Sequence, residues 1–242
     1  MNIIRLKEVN STNDFLSKMV RDEYLQEWSV VRADYQSQGK GQMSNKWLSD
    51  PYKNLLCSIL LKPNFLNIGS QFMLNMVVSL GIFKSLSQYV DNVKIKWPND
   101  IYVNSKKIGG ILIENTCVSK KITSSIVGIG INVNQEKFDN SLRATSIKKE
   151  TNTNLDLEFF LEDILSHIRA YYNRLCKSDT LNIYQEYEDS LFQIGENKLY
   201  KTPDGDVFSG CIKGIDTSGR LKINTDAGST LTFSNKEVIF IL

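Results

Sequence analysis

The chain is poor in the residues on which most covalent and metal chemistry depends. Among 242 residues there is one histidine, His167, and there are four cysteines, Cys57, Cys117, Cys176 and Cys211. A lone histidine without an acidic or cysteine cluster beside it argues against a His-dependent triad and a histidine-rich metal site. The cysteines form no Cys-x-x-Cys pair, so neither a zinc site nor a redox motif is written here. Scattered thiols fit a reducing cytosol. No run of five or more like charges occurs and the net charge is only +2, so neither a charged tail nor nucleic-acid binding is implied. No stretch approaches the roughly 18 apolar residues of a membrane span. The opening Met-Asn-Ile-Ile-Arg-Leu-Lys-Glu lacks the apolar core of a signal peptide. A soluble cytoplasmic protein is the expectation.

What is present is core material and punctuation. Hydrophobic residues make up 41% and aromatics 10%, enough for one large domain or one domain with a small appendage. Residues 2–9 read as a strand. Ser11-Thr12-Asn13-Asp14 opens a helix to about Tyr24, with side-chain caps and an acid facing the helix dipole. Trp28 to Tyr35 reads as a strand, and 36–53 as a polar loop of about 18 residues, longer than structureless loops usually are without a function. Leu55 to Leu61 is a buried strand and 70–90 a long helix with an apolar stripe. A hairpin spans 93–115 and a strand spans 122–133. The segment 136–153 reads as irregular, and helices follow over 157–175 and 180–192. After Gly195, short strands alternate with turns at Pro203-Asp-Gly, Asp216-Thr-Ser-Gly and Asp226-Ala-Gly, the pattern of a small β-barrel. The boundary is placed at residue 194, giving domains 1–194 and 195–242.

The densest chemistry is Lys96-Trp97-Pro98-Asn99-Asp100 followed by Lys107-Ile-Gly109-Gly110-Ile-Leu-Ile-Glu114. Ile101–Val103 and Ile108–Ile113 can pair across a turn at Asn104–Lys106, setting Lys107 opposite residues 102–104. Asp100 then lies roughly 7–13 Å further along, at about 3.3 Å per residue. Such a spacing suits a nucleoside phosphate with its metal at one end and a second reactant at the other. Gly109-Gly110 permits close approach of backbone or ligand. A plain hairpin with a solvated lysine is the alternative. The loop Tyr35-Gln36-Ser-Gln-Gly39-Lys40-Gly41-Gln42-Met-Ser-Asn45-Lys46-Trp47 is neither a Walker loop nor a Rossmann fingerprint. Its amides and lysines suit an anion, though taken alone it also reads as an ordinary connection. In Gly128-Ile-Gly-Ile-Asn132-Val-Asn134, asparagine on an apolar strand needs partners if buried.

These elements, in this order, resemble the motifs of biotin protein ligases: Ser11-Thr-Asn13, Gln36 with Gly39-Lys-Gly41 and Trp47, Lys96 to Asp100, Lys107 to Glu114, and Gly128 to Asn132. Gly214 to Leu221 resembles that family's small barrel. The resemblance spans almost the whole chain. It implies an α/β fold, a mixed sheet flanked by helices in a class II synthetase-like domain, followed by an SH3-like β-barrel. The implied activity is that of a biotin–[acetyl-CoA-carboxylase] ligase. It would couple biotin to ATP with Mg²⁺, and pass it from biotinyl-5'-AMP to a lysine of a biotin carboxyl carrier protein or domain. Ser11, Thr12, Asn13, Gln36, Gly39, Lys40, Gly41, Lys107, Gly109 and Gly110 match biotin-binding positions, with Lys107 the catalytic lysine. Lys40, Gln42, Trp47, Lys96, Trp97, Asn99 and Asn132 match ATP or adenylate positions, and Asp100 the metal position. The family's helix-turn-helix domain is missing from the resemblance, so no DNA partner is expected; without an apolar span no membrane partner is expected either, and the protein is expected as a monomer or weak homodimer.

One departure stands out. Where the family reads Gly-Arg-Gly-Arg-x-Gly-Arg, residues 39–45 read Gly-Lys-Gly-Gln-Met-Ser-Asn. Guanidinium forks have become Lys40, Gln42 and Asn45, which grip phosphate differently or not at all. Weaker adenylate retention, or reliance on Lys40, Lys46 and backbone amides, is the expectation. The rival readings are a lipoate or octanoate ligase-transferase, which shares the fold, and a biotin-binding protein without ligase activity.

Overall fold

The computed structural model describes residues 2–139 and 142–241. Its larger sheet has seven strands in the order β1-β2-β3-β7-β6-β5-β4. They are β1 (Ile3–Val9), β2 (Val30–Gln36), β3 (Leu55–Leu61), β4 (Val93–Lys96), β5 (Asp100–Val103), β6 (Lys106–Val118) and β7 (Lys121–Ile131). β1 and β2 are parallel and every other neighbouring pair is antiparallel, so the sheet is mixed.

β3 shows why the sheet is covered on both faces. All seven of its residues are buried. Leu55, Cys57, Ile59 and Leu61 join the main apolar cluster, which includes residues of α2 (Phe72–Leu86) and α4 (Leu157–Cys176). Leu60 instead packs with Leu16 of α1 (Thr12–Asp22). The strand's period of two therefore also turns Ser58 toward the start of α1. Gly81 lies where α2 meets α4; a Cβ there would fall 2.7 Å from the Ile168 backbone.

The starts of α1 and α4 follow their capping residues. Ser11 accepts from Asp14 N, and Asp156 accepts from Glu158 N and Phe159 N at 2.8 and 3.0 Å. α1 stops at Asp22, two residues short of expectation, because Glu23 is already extended. β2 starts at Val30 rather than Trp28, because Trp28 takes a left-handed φ of 67°. The segment read as irregular contains a short helix, α3 (Ile147–Thr151), capped by Ser146. α5 (Thr180–Asp189) precedes the second sheet. Among the described residues no helix is long and apolar enough to cross a membrane.

The second sheet is antiparallel throughout, in the order β11-β10-β9-β8-β12. Its strands are β8 (Asn197–Lys201), β9 (Val207–Ile215), β10 (Leu221–Thr225), β11 (Thr230–Phe233) and β12 (Ile239–Phe240). Tyr200, Ile212, Ile215, Leu221 and Ile223 belong to the same apolar cluster as α2 and α4, so the two sheets share a core. Polar ties add direction to that packing. Ile215 N donates to Glu188 at 2.9 Å and Tyr184 OH to Thr217 O at 3.0 Å. Gly219, at φ 88°, presses on the Phe72 ring and accepts the Trp97 indole N–H at 2.9 Å.

Candidate functional site

The turn between β4 and β5 is built from its own motif residues. Its Trp97–Pro98 peptide is cis. Asn75 of α2 donates to Pro98 O, and Asn99 clasps β6 in both directions: its Nδ2 donates to Ile111 O at 2.7 Å and its O accepts Ile111 N at 2.9 Å. Asp100, next in line, pairs with Gly110, and Tyr102 with Lys107, across a bulge between Ile101 and Tyr102. Lys107 is thus opposite residue 102, one end of the span 102–104 that the spacing predicts.

The expected gap between Asp100 and Lys107 is wrong for the side chains. Lys107 Nζ lies 2.6 Å from Asp100 Oδ1. Strand spacing fixes only the backbone separation. The four-carbon lysine stem and the bulge close the distance, and the stem crosses Gly110, where a Cβ would sit 3.4 Å from Nζ.

A polar cluster forms at the start of α1. Gln36 Oε1 accepts from Thr12 N at 2.7 Å and from Thr12 Oγ1 at 2.9 Å. Ser58 Oγ lies 2.7 Å from Thr12 Oγ1 and 2.6 Å from Asn13 Oδ1. Asn13 Nδ2 donates to Glu114 at 2.6 Å. Ser11, Thr12 and Asn13 are all nearly fully buried. Such a network fixes the direction of each remaining donor and acceptor.

Residues 39–47 form a strap beside this cluster. Trp47 N donates to Gly39 O at 2.9 Å and Gly41 N to Asn45 O at 2.7 Å. Gly39 has no room for a Cβ, which would meet Trp47 O at 2.5 Å. The strap lays the Trp47 ring over two bare backbones: a Cβ on Gly130 would be 2.6 Å from the indole and one on Gly110 3.3 Å. Lys107 Nζ is 5.6 Å from the ring centroid. Trp47 Nε1 is buried with no hydrogen-bond partner among the described residues. Lys40, expected to face an anion, pairs with Asp14 at 2.6 Å.

Lys96 is inserted between Tyr102 and Phe240, 5.3 and 4.7 Å from their centroids. Burial lowers its pKa below the ordinary lysine value; Asp100 opposes that shift and Lys107 adds to it. Burial also pushes the Tyr102 phenol up to about 12, with Asp100 contributing in the same direction.

These pieces enclose a cavity of about 510 Å³. Of the sequence-predicted residues, Ser11, Thr12, Asn13, Gln36, Lys40, Gly41, Gln42, Trp47, Lys96, Trp97, Asn99, Asp100, Lys107 and Gly110 line it. Gly39, Gly109 and Asn132 do not. Gly39 closes the base of the strap, Gly109 packs against Gly130 O, and Asn132 donates from its amide to Thr145 O at 3.0 Å behind Lys107. Trp97 and Asn99 reach the lining while spending their polar hydrogens on Gly219 O and Ile111 O. Sequence reading missed one wall, Asn235, Lys236, Val238, Ile239 and Phe240, because no motif marks it. It also missed the role of Gly128 and Gly130, though their period-two spacing on β7 was a usable signal.

The lining holds five lysines (Lys40, Lys46, Lys96, Lys107, Lys236) and one carboxylate, Asp100. Among the described residues no group of three or more His, Cys, Asp or Glu side chains is arranged to hold a metal. The arrangement suits a polyanion held against a polar, partly dry pocket.

The profile of the biotin/lipoate A/B protein ligase family matches residues 6–132, just over half of the chain. The chain belongs to that family. It is 30% identical over 213 residues to the bifunctional ligase/repressor BirA of Bacillus subtilis, covering 86% of this chain and 65% of that protein. The chain thus spans just under two thirds of that relative. It is 24% identical to the biotin–[acetyl-CoA-carboxylase] ligase of Paracoccus denitrificans over 231 residues, 92% of this chain and 94% of that one. A biotin protein ligase from Aquifex aeolicus, solved in complex with biotin and ATP, matches with a TM-score of 0.81 at 28% identity, covering 99% of this chain and 98% of that one. The ligase-family match stops at Asn132, so the cavity wall from Asn235 to Phe240 lies outside it.

Proposed function

We propose that this chain activates biotin with ATP and attaches it to a lysine of a biotin carboxyl carrier protein or domain in the cytoplasm. In the first step a biotin carboxylate oxygen attacks the α-phosphorus of ATP, the bond to the β-phosphate breaks, and pyrophosphate leaves. In the second, the lysine amine attacks the acyl carbon of biotinyl-5'-AMP, AMP leaves, and the amine gives up a proton. No enzyme nucleophile is needed. The observation that carries this reading is the charge of the cavity, five lysines against one carboxylate, beside a buried polar end of α1. Bringing a carboxylate against a triphosphate is opposed by repulsion, and fixed cations in a partly water-excluded site offset it.

On this reading Ser11, Thr12, Asn13 and Gln36, with the backbone of 39–41, orient the biotin ring system. Lys107 meets the biotin carboxylate and the α-phosphate, releasing Asp100 as it does so. Lys96 and Lys40 add positive charge, and Trp47 supplies an apolar face. Asp100, the single carboxylate of the lining, fits Mg²⁺, an ion that takes one or two protein carboxylates and leaves other positions to phosphates and water. Mg²⁺ held there would offset charge on the polyphosphate. The reading treats residues 1–194 as the ligase domain and 195–242 as a small barrel that completes the cavity.

The test is incubation with biotin, Mg-ATP and a purified carrier domain, followed by intact-mass analysis of that domain. Gain of one biotinyl group supports the reading. Labelling by lipoate in preference to biotin, or biotin binding without transfer, would overturn it.

A further inference from the structure

Besides the packing of Trp47, two polar contacts among the described residues tie the strap 39–47 to elements outside itself. On one side Lys40 pairs with Asp14 of α1, both side chains about half exposed, a contact that salt screens and that contributes little. On the other side Asn235 Nδ2 donates to Gln42 Oε1 at 2.8 Å in a partly buried neutral bond. Gln42 stands where the resembling family carries an arginine. Its amide reaches the second sheet, 193 residues away in sequence.

Asn235 is itself held. It lies in the turn between β11 and β12, where Ser234 N donates to Glu237 at 2.6 Å and Glu237 N to Ser234 O at 3.1 Å. The residues that follow, Lys236, Val238, Ile239 and Phe240, line the same cavity as the strap. Phe240 is fixed against Tyr200 and Lys96. A firm turn on one wall therefore holds the tip of a loop whose central residue, Met43, is left-handed and exposed.

We propose that Asn235 is a positioning residue: its hydrogen bond to Gln42 latches the strap across the mouth of the cavity and sets how fast bound adenylate leaves. The kinetic half rests on the function proposed above; the latch itself does not. The latch takes over with a neutral bond what a phosphate-gripping arginine would do by charge. It holds Trp47 over Gly110 and Gly130 by holding the loop. One net hydrogen bond corresponds to a roughly two- to tenfold change in the open population.

Two readouts test it with Asn235→Ala, Gln42→Ala and the double variant. In ligand-free protein, amide exchange at Gly41, Asn45 and Trp47, whose N–H groups bond within the strap, should quicken two- to tenfold in each variant. Exchange in β3 should stay unchanged. Gln42→Glu, which keeps the accepting oxygen, should retain wild-type protection. In loaded protein, release of biotinyl-adenylate should quicken by a similar factor, KM for biotin should rise more than kcat falls, and the double variant should be no worse than either single one. Unchanged strap exchange, or strictly multiplicative effects of the two substitutions, would overturn the latch. Quickened exchange with unchanged adenylate release would overturn its role in retention. Wild-type protein that forms no adenylate would sink the proposed function, and the exchange measurement would still decide whether the latch exists.

Discussion

Lys107 Nζ rests 2.6 Å from Asp100 Oδ1, its stem lying across the bare backbone of Gly110. Each group keeps the other's charge balanced in a cavity that otherwise carries four further lysines. A carboxylate substrate entering beside Lys107 can take the place of Asp100, freeing that side chain for a cation. The pair is thereby poised to be exchanged. Lys107→Ala should lower adenylate formation roughly 10²-fold or more, the scale for losing a preorganised charge. Stability should change little, because a partly exposed pair contributes about 0–1 kcal/mol. Pyrophosphate exchange and thermal unfolding measure the two. Near-normal exchange would remove Lys107 from the chemistry.

Gly128 and Gly130 make a separate prediction about space. A methyl group on Gly128 would fall 2.4 Å from Asn13 Oδ1, and one on Gly130 2.6 Å from the Trp47 indole. Asn13 is locked by Ser58 and Glu114, so Gly128→Ala should destabilise the fold by about 1–3 kcal/mol through overpacking. Trp47 is less buried and can shift, so Gly130→Ala should cost less stability while weakening biotin binding about tenfold or more. Paired thermal melts and biotin titrations check this. The opposite ranking in stability would contradict the assigned rigidity of Asn13.

The family resemblance places Trp97 at an adenylate position, yet its N–H is bonded to Gly219 O. Trp97→Phe strands that carbonyl and should lower stability by about 1–3 kcal/mol. If the indole acts mainly as a strut, urea midpoints should fall clearly while ATP affinity, measured by calorimetry below the transition, changes less than threefold (about 0.6 kcal/mol). A large affinity loss with intact stability would restore a direct role.

The contrast between Lys107 and Trp97 shows what the amino-acid order could tell. Local rules located β3 from a nearly continuous apolar run, the start of α1 from Ser11, and the pairing of Lys107 within residues 102–104 from the length of one turn. The Asp100–Lys107 contact escaped because side-chain reach and a bulge are not contained in strand spacing. Asn99 and Asn132 show a second limit. An asparagine in a motif can face a ligand or bond to its own backbone, and here both amides have backbone partners. The wall at Asn235 to Phe240 was invisible for a third reason. Those residues reach the cavity only through packing of one sheet on another, and nothing local in their sequence records it.

That packing should respond to acid at the turn carrying Gly219. The turn carrying Gly219 is organised by Asp216, which accepts from Ser218 N, Ser218 Oγ, Arg220 N and Arg220 Nε at 2.7 to 3.0 Å. Partial burial works against its ionisation, but the hydrogen bonds from Ser218 and Arg220 outweigh it and hold the carboxyl well below the ordinary 3.8. A group with a depressed folded pKa stabilises the fold fully above its unfolded pKa and loses that contribution as pH falls toward the folded value. Wild type should therefore exceed Asp216→Asn in stability at neutral pH. The gap should start to shrink once pH drops below about 4, and the variant's own profile should be flatter there. Urea midpoints taken from neutrality into the acid range give both curves. A gap that stays constant over that range would mean that Asp216 organises the turn by shape rather than by charge.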